Sequence, residues 1–132
     1  MSVVLDTHSA IWYLHSPKEL SPTALQIIRH AVDHGRPLFL SAISLVEAIY
    51  LLERGRLPFE ALRRLESAAK GAGSGLLVHP LDEGVAEAVY RVPRAAVPDM
   101  PDRIIAATAI HLGLPLVTRD RRLRESGIKT IW

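Results

Sequence analysis

The side chains best able to do chemistry in this sequence of 132 residues are four carboxylates, Asp6, Glu47, Asp102 and Asp120. Asp6 closes the apolar run Val3-Val4-Leu5 and precedes Thr7 and His8. Glu47 shares a helix face with Ile43, Tyr50 and Leu51 at i−4, i+3 and i+4, so a charge stands on an otherwise apolar stripe. Asp102 follows Asp99-Met100-Pro101 and leads into Ile104-Ile105-Ala106-Ala107, while Asp120 follows Leu116-Val117-Thr118-Arg119. Each acid alone has a plain structural reading. Asp6, Asp102 and Asp120 stand where a helix start takes an acid, and Glu47 could answer an arginine. Asp99 suits a helix cap, and Thr118 a hydrogen bond to local backbone or to a neighbouring carboxylate. Gathered in one cleft, the four would repel one another strongly, and a cation makes such a cleft tolerable. Oxygen-only donors suit Mg²⁺ or Mn²⁺. The chemistry open to such a site is in-line hydrolysis of a phosphodiester by a metal-activated water.

The elements that must position these groups alternate along the chain. Val3–Leu5 reads as a short buried strand, after which Thr7 caps a helix with Ala10, Ile11 and Leu14 on one stripe. Ser21-Pro22 starts a second helix, with Leu25, Ile28 and Val32 at helical spacing and a stop near Gly35. Pro37–Leu40 is the next strand, and Ser41 caps a helix running to Arg54, where Gly55 ends it. A further helix runs from near Pro58 to the glycine-rich turn at Gly71, Gly73 and Gly75. Leu76–Val78 gives a third strand, and Asp82 opens a helix reaching about Tyr90. An irregular, proline-rich stretch from Val92 to Pro101 then delivers a helix from about Asp102 to Leu112, closed by Gly113. Leu116–Thr118 is a fourth strand and Lys129–Ile131 a fifth.

Strands separated by helices predict an α/β fold with a parallel sheet of about four to five strands covered on both faces. Such sheets place ligands outside the carboxyl ends of their strands. Asp6, the segment from Ser41 to Glu47, and Asp120 all follow strands, so three of the four acids fall where that rule puts a site.

Composition sets the outer bounds. The length suits one domain spanning 1–132 with a substantial core, and 48% hydrophobic residues exclude a disordered chain. No apolar run approaches the roughly 20 residues needed to cross a bilayer. Without cysteine there are neither disulfides nor thiolate metal sites, and the N-terminus lacks a signal-peptide pattern, so a cytoplasmic location is expected. The net charge is only +2, yet thirteen of the sixteen basic residues are arginine. That bias is compatible with a phosphate-bearing partner and equally with a GC-rich genome.

Four segments, in order, carry a family resemblance. Leu5-Asp6-Thr7-His8 with Ile11-Trp12 resembles the opening of a VapC-type PIN domain, and Ser41 to Glu47 is similar to that family's serine-spaced glutamate helix. Pro101-Asp102-Arg103-Ile104-Ile105-Ala106-Ala107 resembles its third acidic motif, although an aromatic is common where Pro101 stands. Gly113 to Asp120 resembles its last strand and acid. The resemblance implies a three-layer α/β/α fold and a Mg²⁺- or Mn²⁺-dependent endoribonuclease, the toxin of a toxin–antitoxin pair and usually a homodimer. A cognate antitoxin often inserts a side chain into the acidic groove. By position, Asp6, Asp102 and Asp120 would hold metal, and Glu47 would ligate it or orient its water. Arg103 and Arg119 would meet RNA phosphate or pair with the acids. The alternative is a PIN-like module without activity that binds RNA or protein. A haloacid-dehalogenase-type phosphotransferase wants an acid where His8 stands, and a receiver domain wants acids at other spacings.

Overall fold

The computed structural model describes residues 1–71 and 73–132. Its sheet consists of β1 (Val3–Leu5), β2 (Leu38–Ser41), β3 (Leu76–His79), β4 (Leu116–Val117) and β5 (Thr130–Ile131). All neighbours are parallel, in the order β3-β2-β1-β4-β5. The helices are α1 (Thr7–His15), α2 (Pro22–Asp33), α3 (Ala42–Glu53), α4 (Phe59–Ala69), α5 (Glu83–Ala88), α6 (Met100–Leu112) and α7 (Arg121–Arg124).

A strand's side chains alternate between faces, and here both faces are covered. Val3 and Leu5 pack with α1, α2 and α4, whereas Val4 packs on the other side with α5, α6 and α7. Burial of each such leucine contributes roughly 1.5–3 kcal/mol relative to exposure. The chain moves outward from β1 to β2 and β3, then returns to the opposite side of β1 with β4. This reversal opens a crevice beyond the adjacent ends of β1 and β4, the place such sheets offer to a ligand.

Several local expectations shift. Asp6, not Thr7, is the N-cap of α1, accepting from Ser9 N at 2.8 Å. The buried stripe of α2 is Ala24, Ile28 and Ala31, with Val32 at the rim, because small residues allow closer approach to the sheet. The helix opened by Asp82 ends at Ala88 and tightens into a 3-10 turn over Val89–Arg91. Helix α6 begins at Met100, two residues before the expected start, because Pro101 is tolerated in a first helical turn whose N–H groups have no partner. Its far end closes as foreseen: Gly113 at φ 67° lets Leu114 N reach Ala109 O at 3.0 Å, aiming the chain into β4. Among the described residues no helix is long and apolar enough to cross a membrane.

Candidate metal centre

Asp6 leaves the end of β1 and is 8% exposed. Two bonds hold it beside the end of β4: its own N–H reaches Val117 O at 3.2 Å, and Ser9 Oγ donates to the same carbonyl at 3.1 Å. Asp120 follows β4 and caps α7 by accepting from Leu123 N at 3.1 Å, while its N–H donates to Thr118 Oγ1 at 3.0 Å. Asp102 lies in the first turn of α6, and Glu47 comes from the middle of α3. All four acids line one cleft of about 270 Å³, together with Thr7, His8, Trp12, Ile105 and Arg119.

The electrostatics of this cleft are those of crowded acids. Burial raises the Asp6 carboxyl above its ordinary value, with hydrogen bonds from Thr118 and Ser9 and the charge of His8 pulling the other way. Asp102 is pushed up to about 7, first by desolvation and then by Asp120, Asp99, Glu47 and Asp6 in turn. Among the described residues the ion pairs are Arg64–Glu60 and Arg121–Glu125, so none of the four acids is answered by an internal cation. An all-carboxylate donor set that no side chain closes in an ion pair fits a hard divalent ion.

Neither arginine beside the acids forms an ion pair with them, so of the two expected roles the pairing is the one the structure does not bear out. Arg103 turns away and donates through Nη2 to Val89 O at 3.0 Å and Val92 O at 2.8 Å, tying α6 to the irregular segment. Arg119 lies on the Trp12 ring, its guanidinium carbon 4.6 Å from the ring centroid, at the edge of the cleft.

Three contributions escaped the sequence. The Thr7 hydroxyl donates to Glu47 Oε1 at 2.5 Å and shares a bond of 2.8 Å with the buried Ser44 Oγ. The threonine assigned to capping therefore aims the glutamate, and Ser44, one helical turn before Glu47, supports it. Trp12 is the second, because it holds Arg119. Asp99 is the third: it stands at the N-cap of α6 as expected, yet its side chain makes no cap hydrogen bond. Carboxylate oxygens of Asp99, Glu47 and Asp102 instead lie within 4.8 Å of one another. Asp6 and Asp120 share the cleft with Glu47 and Asp102 but stand outside that tighter trio. An acid at a cap position whose side chain turns from the helix cannot be told from an ordinary cap by spacing alone.

A parallel five-stranded sheet with acids at its switch point is the architecture of the PIN domain, and the sequence matches that family over residues 3–129; the chain belongs to it. It is 35% identical over 129 residues to "Ribonuclease VapC22" of Mycobacterium tuberculosis (strain ATCC 25618 / H37Rv), covering 94% of this chain and 91% of that protein. The fold is similar to VapBC2 from Rickettsia felis bound to a DNA fragment from its promoter, with TM-score 0.72 at 14% identity, covering 98% and 97% of the two chains. DNA-bound VapBC from Salmonella typhimurium gives TM-score 0.65 at 23% identity with coverage of 98% and 97%.

Proposed function

We propose that residues 1–132 act as one PIN domain that hydrolyses RNA phosphodiester bonds, as the toxin of a toxin–antitoxin pair. The observation that carries this reading is the meeting of Asp6, Glu47, Asp102 and Asp120 in one cleft, with no ion pair to any of them among the described residues. Membership of the PIN family and the likeness to a ribonuclease relative support it.

Asp6, Asp102 and Asp120 hold Mg²⁺ or Mn²⁺ in this proposal, with Glu47 ligating directly or through water and Asp99 beside it. When bound, the ion activates water and offsets charge on the scissile phosphate. The protein's own part is positional: Thr7 and Ser44 fix the Glu47 carboxylate, and Trp12 presents the Arg119 guanidinium to a phosphate oxygen. The purified chain should cleave single-stranded RNA with Mg²⁺ or Mn²⁺ and stop when a chelator is added. Cleavage that continues in the chelator, or none with either ion, would reject the reading and, in the second case, favour a binding module.

Positioning has a separate test. Thr7→Val removes the hydroxyl that aims Glu47 and preserves the branched shape, so Mn²⁺ affinity should fall by about tenfold or more. Calorimetric titration that finds native affinity would remove Thr7 from this role.

Two partners complete the reading. A cognate antitoxin places a basic side chain in the cleft, where a guanidinium can bind two carboxylate oxygens. A second copy of the chain pairs through α3. On the outer face of this helix Val46, Ile49 and Tyr50 are 47%, 40% and 55% exposed, whereas Leu45 and Leu52 pack against the core. Ile49→Glu should convert a dimer to a monomer in light scattering at micromolar concentration. A native protein that is already monomeric there would defeat this assembly.

A further inference from the structure

A second group of possible ligands lies outside the acidic cleft. It joins His79, the last residue of β3, to Asp82, the N-cap of α5, and His111, in the last turn of α6. One donor atom from each lies within 4.8 Å of the other two. We propose that His79, Asp82 and His111 form a binding site for Zn²⁺ or a similar late transition-metal ion, chemically distinct from the oxygen-only cleft.

Four features of the site support this assignment. The donor set is two imidazoles and one carboxylate, which suits Zn²⁺, whereas carboxylates alone suit Mg²⁺ or Mn²⁺. His79 Nδ1 lies 2.9 Å from Pro80 O. A proton on Nδ1 makes that bond and leaves the Nε2 lone pair free, the arrangement by which a backbone carbonyl orients a metal-binding imidazole. Asp82 caps α5 with Oδ1, accepting from Val85 N at 2.9 Å, which leaves Oδ2 for a cation.

The fourth feature is Gly84. It sits inside α5, where glycine is a poor helix former, and it is not among the glycines at positive φ. A Cβ built on it would stand 2.3 Å from His111 Cε1, 2.9 Å from Nδ1 and 3.0 Å from Nε2. The ring of His111 thus occupies the space that a side chain would need. The absent side chain seats the second imidazole beside the first, with ring centroids 5.6 Å apart and the planes at 65°. An ion there fastens edge strand β3 to α5 and to the end of α6, and leaves a coordination position for water or a further ligand.

The rival within the same chain is His30 of α2 with His34, the residue that caps the end of that helix, their rings stacked at 4.1 Å; there His34 Nδ1 lies 2.8 Å from His30 O. The test is titration of the full chain with Zn²⁺ in excess Mg²⁺, read by calorimetry and by the imidazole ¹⁵N resonances. Zn²⁺ should move the Nε2 signal of His79 and a ring-nitrogen signal of His111, with micromolar or tighter affinity. His111→Gln and Gly84→Ala should each weaken that binding by about tenfold or more, the second without removing a ligand. His34→Gln should leave it unchanged, and none of the three should alter Mg²⁺-dependent RNA cleavage. Shifts confined to His30 and His34, native affinity in His111→Gln, or no Zn²⁺ binding at micromolar concentration would overturn the proposal.

Discussion

Asp102→Asn should reduce metal-dependent RNA cleavage by at least about 100-fold, the scale expected when a metal-holding carboxylate is lost. In chelator at pH 8 it should also raise the melting temperature. The two effects share a cause. Asp102 is the carboxylate most burdened by its neighbours, pushed to about 7 by desolvation and four surrounding acids. A folded-state value above the unfolded one means that the folded chain holds the proton more tightly, so this group's contribution to stability falls as pH rises from about 4 to 7. Above pH 7 the folded metal-free protein carries the full repulsion. Asparagine carries none at any pH, and relief of 1 kcal/mol raises the melting point by about 4 °C in a chain of this size. Cleavage assays paired with thermal melts at pH 5 and pH 8 decide the matter. A variant that is inactive and destabilised at both pH values would point to a packing role instead.

Mn²⁺ affinity should fall about tenfold for each pH unit below 7, because the ion must displace the Asp102 proton. From pH 8 to pH 5 the loss approaches a hundredfold, and calorimetry in buffers of different ionisation enthalpy should count about one proton released per ion near pH 6. In Asp102→Asn the remaining affinity should be nearly flat across that interval. A native protein whose Mn²⁺ affinity does not change between pH 8 and pH 5 would mean that Asp102 is not the group the ion displaces.

The sheet was legible because β1 to β4 are short apolar runs divided by helices with recognisable caps, such as Ser21-Pro22 and Ser41. Their carboxyl ends then located Asp6 and Asp120 with no side-chain geometry in hand. What stayed hidden was direction. Arg103 and Arg119 stand beside acids in sequence, but the phase of α6 sends the first to the carbonyls of Val89 and Val92, and the loop after β4 lays the second onto Trp12. Asp99 and Thr7 both sit at helix starts, where local capping is the economical reading. Tertiary proximity to Glu47 redirects them, and spacing along one segment carries no record of a contact 40 residues away.

The engagement of Arg103 with backbone carbonyls and of Arg119 with an indole also has a thermodynamic consequence. Neither guanidinium closes an ion pair with the acids, so the cleft leaves its positive complement to come from outside the fold. A free divalent ion and a guanidinium from a partner would then compete for one vacancy, and linkage makes the competition mutual: whatever factor the partner takes from the ion's affinity, the ion takes from the partner's. Cellular Mg²⁺ would thereby set a threshold for release of the partner, and the same acids that serve cleavage would register whether the partner has left.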